Sequence, residues 1–242
     1  MNLVWPFRFL LSFWAMVWLA VLTGTGAFII LVLQLVRVEE PRMQWVGRLW
    51  GKLLLAGTGC PARITGLKNL TPGENYVFAS NHTSALDIPA LLALLPKNFR
   101  WLAKKELFAI PVFGFAIKGV GYIPIDRSNT RAAVKSLNQA AGRIAAGASV
   151  VIFPEGTRSP DGKLLAFKSG GLGLAIRSGR PVTPVAIIGA NRALPPKHLI
   201  LNPGPIRVIV GQPIPTQGLK IADREELAQT VRERVQELLR EG

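Results

Sequence analysis

A chain of 242 residues accommodates one α/β domain with appended segments, and 49% hydrophobic residues does not by itself make a polytopic membrane protein. A net charge of +15 favours anionic partners, yet Arg and Lys are spread along the chain with no basic run, zinc-finger spacing or RNA-recognition signature, which argues against a nucleic-acid module. One cysteine, Cys60, excludes an internal disulfide and a multi-cysteine metal site, and with no histidine near it in sequence it reads as an incidental thiol.

Residues 9–36 carry no charged side chain. As one helix they would extend about 42 Å against a hydrocarbon core of roughly 30 Å, too long for an upright span. Thr23-Gly24-Thr25-Gly26 in the middle suggests a reversal, with arms 9–22 and 27–36 dipping into one leaflet; a single tilted helix is the alternative. A cleaved signal peptide is disfavoured because hydrophobicity resumes after Gly26. Arg37, Arg42, Arg48 and Lys52 outnumber the single Arg8 ahead of the segment, so the following domain is expected on the cytoplasmic face, as at a bacterial inner membrane. Residues 43–55 then interleave apolar and basic residues at helical spacing; such a helix can lie on anionic lipid or on a protein core.

Four apolar runs bounded by turn residues, at 76–79, 150–153, 182–188 and 206–210, predict short buried strands. Helical patterns at 130–146 (Ala133, Leu137, Ala140 and Ile144 on one face) and 167–178 alternate with them, so the class is α/β. The Pro-rich stretch 191–205 reads as a surface connection. At the carboxyl end Asp223 and Glu226 form a capping-box pattern ahead of an apolar stripe through Leu227, Val231, Val235 and Leu238.

The chemistry concentrates in the turns. Ser80-Asn81-His82-Thr83-Ser84-Ala85-Leu86-Asp87 follows the first strand. A histidine and an aspartate five residues apart point about 140° away from each other on one helix, so they meet only if a strand-to-helix turn separates them. With Asp87 holding one ring nitrogen, His82 presents the other as a base for an attacking hydroxyl. Taken alone, such a pair is more often a turn histidine satisfied by a neighbouring carboxylate. The second chemical turn is Phe153-Pro154-Glu155-Gly156-Thr157-Arg158, where Gly156 permits close backbone approach and Arg158 can hold a phosphate by paired hydrogen bonds. Gly121-Tyr122-Ile123-Pro124-Ile125-Asp126-Arg127 offers another arginine, although Asp126 could simply neutralise Arg127 or Arg158 in a solvated ion pair.

Together these segments resemble the lysophosphatidic acid acyltransferase branch of the glycerolipid acyltransferases. The histidine, four residues, aspartate motif stands at 82–87, the second motif at 121–127, the third at 153–158 and the fourth at 182–187. The histidine motif is weak alone, whereas the ordered set is specific. The second motif departs mildly, with Ile123-Pro124-Ile125 where an aromatic residue is common. The resemblance implies transfer of an acyl chain from acyl-CoA or acyl carrier protein to the sn-2 hydroxyl of 1-acyl-glycerol 3-phosphate, giving phosphatidic acid without an acyl-enzyme. It makes His82 the base and Asp87 its orienting partner. It gives Arg127, Glu155, Gly156, Thr157 and Arg158 to the acceptor head group, with Lys104 as a further phosphate ligand. No cofactor or metal is expected. Other acceptors remain open, among them glycerol 3-phosphate, other lysophospholipids and amino-acid lysolipids; so do a hydrolase and a noncatalytic anionic-lipid-binding protein. The expected architecture is a single α/β domain, residues 59–242, with a central, mostly buried mixed sheet flanked by helices. Residues 1–58 precede it as an apolar membrane-inserting segment, hairpin or tilted helix, with a basic amphipathic helix.

Overall fold

The computed structural model describes residues 4–96, 98–126 and 147–242, with 136, 137, 140–142 and 144 between them. The apolar amino-terminal segment forms one unbroken helix, α1 (Val4–Leu35), followed by α2 (Glu40–Gly57). The expected reversal at 23–26 is therefore absent. A glycine inside a helix costs only about 1 kcal/mol, and here packing outweighs it. At Gly26 the helix packs on α2, where a Cβ would sit in ordinary contact 3.6 Å from Val46 Cγ1, and the Trp50 indole donates to Thr23 Oγ1 at 3.2 Å. Further along, Trp18 Nε1 donates to Leu53 O and Trp14 Nε1 to Gly57 O. Positions in α2 rise as those in α1 fall, so the two helices are antiparallel and the hairpin turn lies at 36–39.

Seven strands form one mixed sheet in the order β1-β7-β6-β2-β5-β3-β4. They are β1 (Ala62–Thr65), β2 (Val77–Ser80), β3 (Phe99–Lys104), β4 (Ile123–Ile125), β5 (Ser149–Ile152), β6 (Val182–Ile188) and β7 (Ile206–Val210). Strands β6, β2, β5, β3 and β4 pair in parallel; β7 runs antiparallel to β6, and β1 is parallel to β7. Strands buried on both faces read as apolar runs, which is why β2, β5 and β6 coincide with the expected segments to within a residue; β7 matches too, through its alternating buried Ile206, Val208 and Val210. β1, β3 and β4 escape that signal. β1 is an edge strand with alternating burial, β3 carries Arg100 and Lys104, and β4 holds Pro124 at the opposite edge, where a missing N–H is tolerated.

Helix α3 (Asp87–Leu94) follows β2 and packs against α2, and α4 (Phe113–Gly119) follows β3 and packs on α1. On the other face, α5 (Ser169–Ser178) and the carboxyl-terminal α7 (Arg224–Glu241) enclose Val77, Val150, Ile152 and Val182. The described residues among 136–144 are helical, and Leu137, Ala140 and Ile144 join this second core, as their spacing predicts; Ala133 lies outside the described residues. A single turn, α6 (Ala190–Ala193), opens the Pro-rich connection. Asp223 does not cap α7 through its side chain. Its carboxylate instead accepts the Lys220 N–H at 2.7 Å and closes the preceding 3-10 turn.

Helix α1 meets the length and hydropathy of a membrane span, yet it lies along the domain. Leu201 N donates to Ser12 Oγ, and Ala27 and Ile30 are buried beside Ala116 of α4, so contact extends from residue 12 to residue 30, about 27 Å of helix. Much of its remaining surface stays bare, with Phe7, Phe9, Leu10, Phe13, Met16 and Phe28 each more than half exposed. Helix α2 buries Met43, Val46, Leu54 and Leu55 and leaves Trp45, Leu49 and Lys52 outside, so its two expected partners, core and surroundings, share it.

One turn depends on glycine with little latitude. Gly121 has φ +78, and a side chain there would overlap the Glu40 carboxylate, which accepts Arg100 Nε at 2.5 Å. Gly121→Ala should therefore cost at least ~1–3 kcal/mol, the strain of a left-handed non-glycine residue. Denaturant unfolding measures this, and an unchanged midpoint would refute it.

Candidate active site

Because β2, β5, β3 and β4 are parallel, their carboxyl ends lie on one edge of the sheet, where open α/β sheets bind ligands. His82 sits in the turn leaving β2 and Asp87 opens α3, so the turn required by their spacing is present. His82 Nδ1 and Asp87 Oδ2 are 2.8 Å apart, and the carboxylate is fully buried while the imidazole keeps 16% of its surface. A carboxylate only accepts, so Nδ1 carries the ring proton and the lone pair resides on Nε2 at the opposite edge of the ring. Thr83 N and Ser84 N also donate to Asp87 Oδ2, at 2.7 and 2.8 Å, which immobilises the carboxylate. Asn81 pins the same turn to β6: its amide donates to Ile187 O and accepts from Ile187 N.

The turn after β5 wraps the histidine. Glu155 Oε1 accepts the His82 N–H at 2.7 Å, Ser159 N donates to His82 O at 2.8 Å, and the Phe153 ring lies parallel to the imidazole with centroids 3.9 Å apart. Glu155 Oε2 accepts Leu165 N at 3.2 Å. Expectation assigned Glu155 to the acceptor head group. Both its oxygens are instead taken by backbone N–H groups, and the residue is 2% exposed, so it braces the site from below. Burial holds its carboxyl above the ordinary range, against the opposing pull of those two donors. Gly156, at φ +74, reverses the chain there and gives the Lys168 side chain room to cross it.

Thr157 and Arg158 follow on the exposed outer part of the turn. Lys104 ends β3, exposed, with Glu106 3.7 Å away. Asp126 binds Lys105 Nζ at 2.6 Å, a partner the sequence did not suggest. Arg127 lies outside the described residues, so the second motif is followed only as far as Asp126. Among the described residues no three His, Cys, Asp or Glu side chains gather as metal ligands. Cys60 is buried in the core, and the Ser84 hydroxyl is buried, donating to Leu194 O and accepting from Leu86 N. Neither is placed as a nucleophile. An apolar cavity of about 130 Å³ lies between α1 and α4, lined among others by Gly26, Ile30, Ile88, Leu92, Ile117 and Tyr122; Ile88 directly follows Asp87.

The protein-family description "Acyltransferase" matches residues 61–188, which contain all of this machinery and more than half of the sequence. The chain belongs to this acyltransferase family. It is 34% identical over 202 residues to a chloroplastic 1-acyl-sn-glycerol-3-phosphate acyltransferase of Brassica napus, covering 79% of this chain and 58% of that one. It is 37% identical over 172 residues to another from Arabidopsis thaliana, covering 70% of this chain and 48% of the relative. The chain thus matches about half the length of these relatives. The fold is also that of the 1-acyl-sn-glycerophosphate acyltransferase PlsC of Thermotoga maritima, with TM-score 0.84, 27% identity and coverage of 97% of this chain and 95% of that one.

Sequence reasoning missed the stacking of Phe153 on His82 and Trp101, and the grip that the Glu155 side chain and the Ser159 N–H take on the main chain of His82. A side chain gripping another residue's main chain leaves no periodic signal. Glu155→Gln offers one acceptor and one donor to two N–H groups, so one is stranded; a loss of about 1–3 kcal/mol is expected by chemical unfolding. The carboxyl titrates above its unfolded value, so its stabilisation is full at low pH and is lost as pH rises from the ordinary carboxylate range through the raised value. The Gln variant should lack that slope. Parallel pH profiles for the two proteins would refute the assignment.

Proposed function

We propose that this protein transfers a fatty acyl chain from a thioester donor, acyl-CoA or acyl carrier protein, to the sn-2 hydroxyl of 1-acyl-glycerol 3-phosphate, yielding phosphatidic acid. The observation that carries the reading is the 2.8 Å bond between His82 Nδ1 and a fully buried Asp87, which reserves Nε2 for chemistry. Nε2 takes the proton of the lipid hydroxyl as its oxygen attacks the thioester carbonyl. The tetrahedral adduct collapses with loss of the thiolate, which receives the proton from the imidazolium. Direct transfer is supported by the engagement of the Ser84 hydroxyl with Leu194 O and the burial of Cys60, neither of which is offered as a nucleophile. Arg158, Arg127 and Lys104 supply cations for the acceptor phosphate, with Gly156 and Thr157 shaping the approach. The apolar cavity beside α3 suits part of a hydrocarbon chain.

The bare apolar surface of α1 supports seating in one leaflet of a membrane, with the domain on the cytoplasmic face. A lysolipid has its tail in that leaflet and its hydroxyl at the interface, so an enzyme resting there meets both ends. Paired changes Phe9→Glu and Phe13→Glu, both more than half exposed, should move the protein from vesicle-bound to unbound fractions in a flotation assay; unchanged flotation would remove the seating.

His82→Ala should lower kcat by at least ~10²–10⁴-fold, the usual contribution of a positioned base, with near-normal unfolding. Arg158→Lys should chiefly raise KM for the acceptor. A panel of lysophosphatidic acid, glycerol 3-phosphate, lysophosphatidylcholine and an amino-acid lysolipid, each with both donor types, decides the substrate. Activity confined to a phosphate-free lysolipid would cancel the assigned role of the cations, and release of free fatty acid would mark a hydrolase.

A further inference from the structure

We propose that Phe153 is a positioning residue for the base, with its ring, backed by Trp101, serving as the shelf that fixes the plane of the His82 imidazole. The inference rests on the reading of His82 as general base and adds a component to it. The His82 and Phe153 rings are stacked at 3.9 Å with 10° between their planes, and Phe153 stacks in turn on Trp101 at 5.3 Å and 28°. Trp101 is itself fixed, 6% exposed, in edge contact with Phe99 at 5.6 Å. The stack thus runs from the core of the sheet out to the catalytic ring.

One hydrogen bond at Nδ1 fixes a point on the imidazole but not its plane, because rotation about the bond to the ring is soft in histidine. Tilting the ring about that point would sweep Nε2 across the site. Contact along a whole face removes this freedom, so Asp87 sets the edge and Phe153 sets the plane. The face also acts during the reaction. When the hydroxyl O–H breaks and the proton arrives on Nε2, neutral imidazole becomes imidazolium, and the electron-rich face of Phe153 attracts the cation more than the neutral ring. That attraction grows towards the transition state, so it lowers the barrier without tightening substrate binding. It vanishes when the proton passes to the departing thiolate.

Three variants test this. Phe153→Leu and Phe153→Met keep an apolar side chain and the backbone turn but remove the aromatic face; Phe153→Tyr keeps the face. Both aliphatic variants are expected to lose about 10-fold or more in kcat with KM for both substrates nearly unchanged, while the tyrosine variant stays close to wild type. A second readout needs no turnover. The chain has only two histidines, His82 and the exposed His198, so His198→Gln leaves one set of imidazole proton resonances. Ring current from Phe153 should place the resonances of His82 upfield, and Phe153→Leu should return them towards those of an unstacked imidazole. Full kcat in Phe153→Leu beside an inactive His82→Ala would overturn the positioning role and spare the general base. Unshifted His82 resonances in the parent protein would overturn the stack. Normal turnover by His82→Ala would instead bring down the base assignment, and this inference with it.

Discussion

The arrangement depends on how completely one residue is held. His82 is gripped at its N–H by Glu155, at its carbonyl by Ser159 N, at its ring edge by Asp87 and on its ring face by Phe153. Three of the four partners come from a single turn, 153–159, and the fourth from the start of α3. Catalytic groups gain most when their geometry is set before substrate arrives, because reorganisation is then not charged to the reaction. A histidine on a turn would ordinarily be among the more mobile groups of a domain; here main chain and side chain are both fixed.

That grip is possible only because the sheet aligns its parallel strands. β2 and β5 are neighbours, with Ala79 paired to Ile152, so the turns that leave them emerge side by side. β6 on the far side of β2 contributes Ile187, which receives Asn81, and Asn191 beyond it donates to Thr83 O. The described parts of the four sequence motifs, spread over about a hundred residues, thus meet in one sheet, with the His82 and Glu155 turns side by side at its edge.

The residues legible in advance were those whose chemistry is local. The His82 and Asp87 spacing implied a turn between them, and apolar runs marked the strands buried on both faces. Edge strands were not legible, because β1 and β4 owe their existence to a neighbour's backbone more than to their own hydrophobicity. The hairpin at 23–26 was misread for a similar reason: two glycines look like a break until α2 is seen resting against one of them. Glu155 looked like a ligand for substrate because a carboxylate in a motif turn invites that assignment; what it holds is the peptide N–H of the base, which only the folded chain reveals.

The indole hydrogen bonds between α1 and α2 have a consequence for how the molecule can be divided. Trp14 and Trp18 donate to backbone carbonyls at the end of α2, and Trp50 reaches back to Thr23, so the apolar helix is tied into the domain as one of its walls. Trimming it away to obtain a water-soluble catalytic fragment would uncover Met43, Val46, Ala116 and Val120 and open the cavity beside α3. What resembles a detachable anchor in the linear sequence is, in three dimensions, a load shared with the catalytic half.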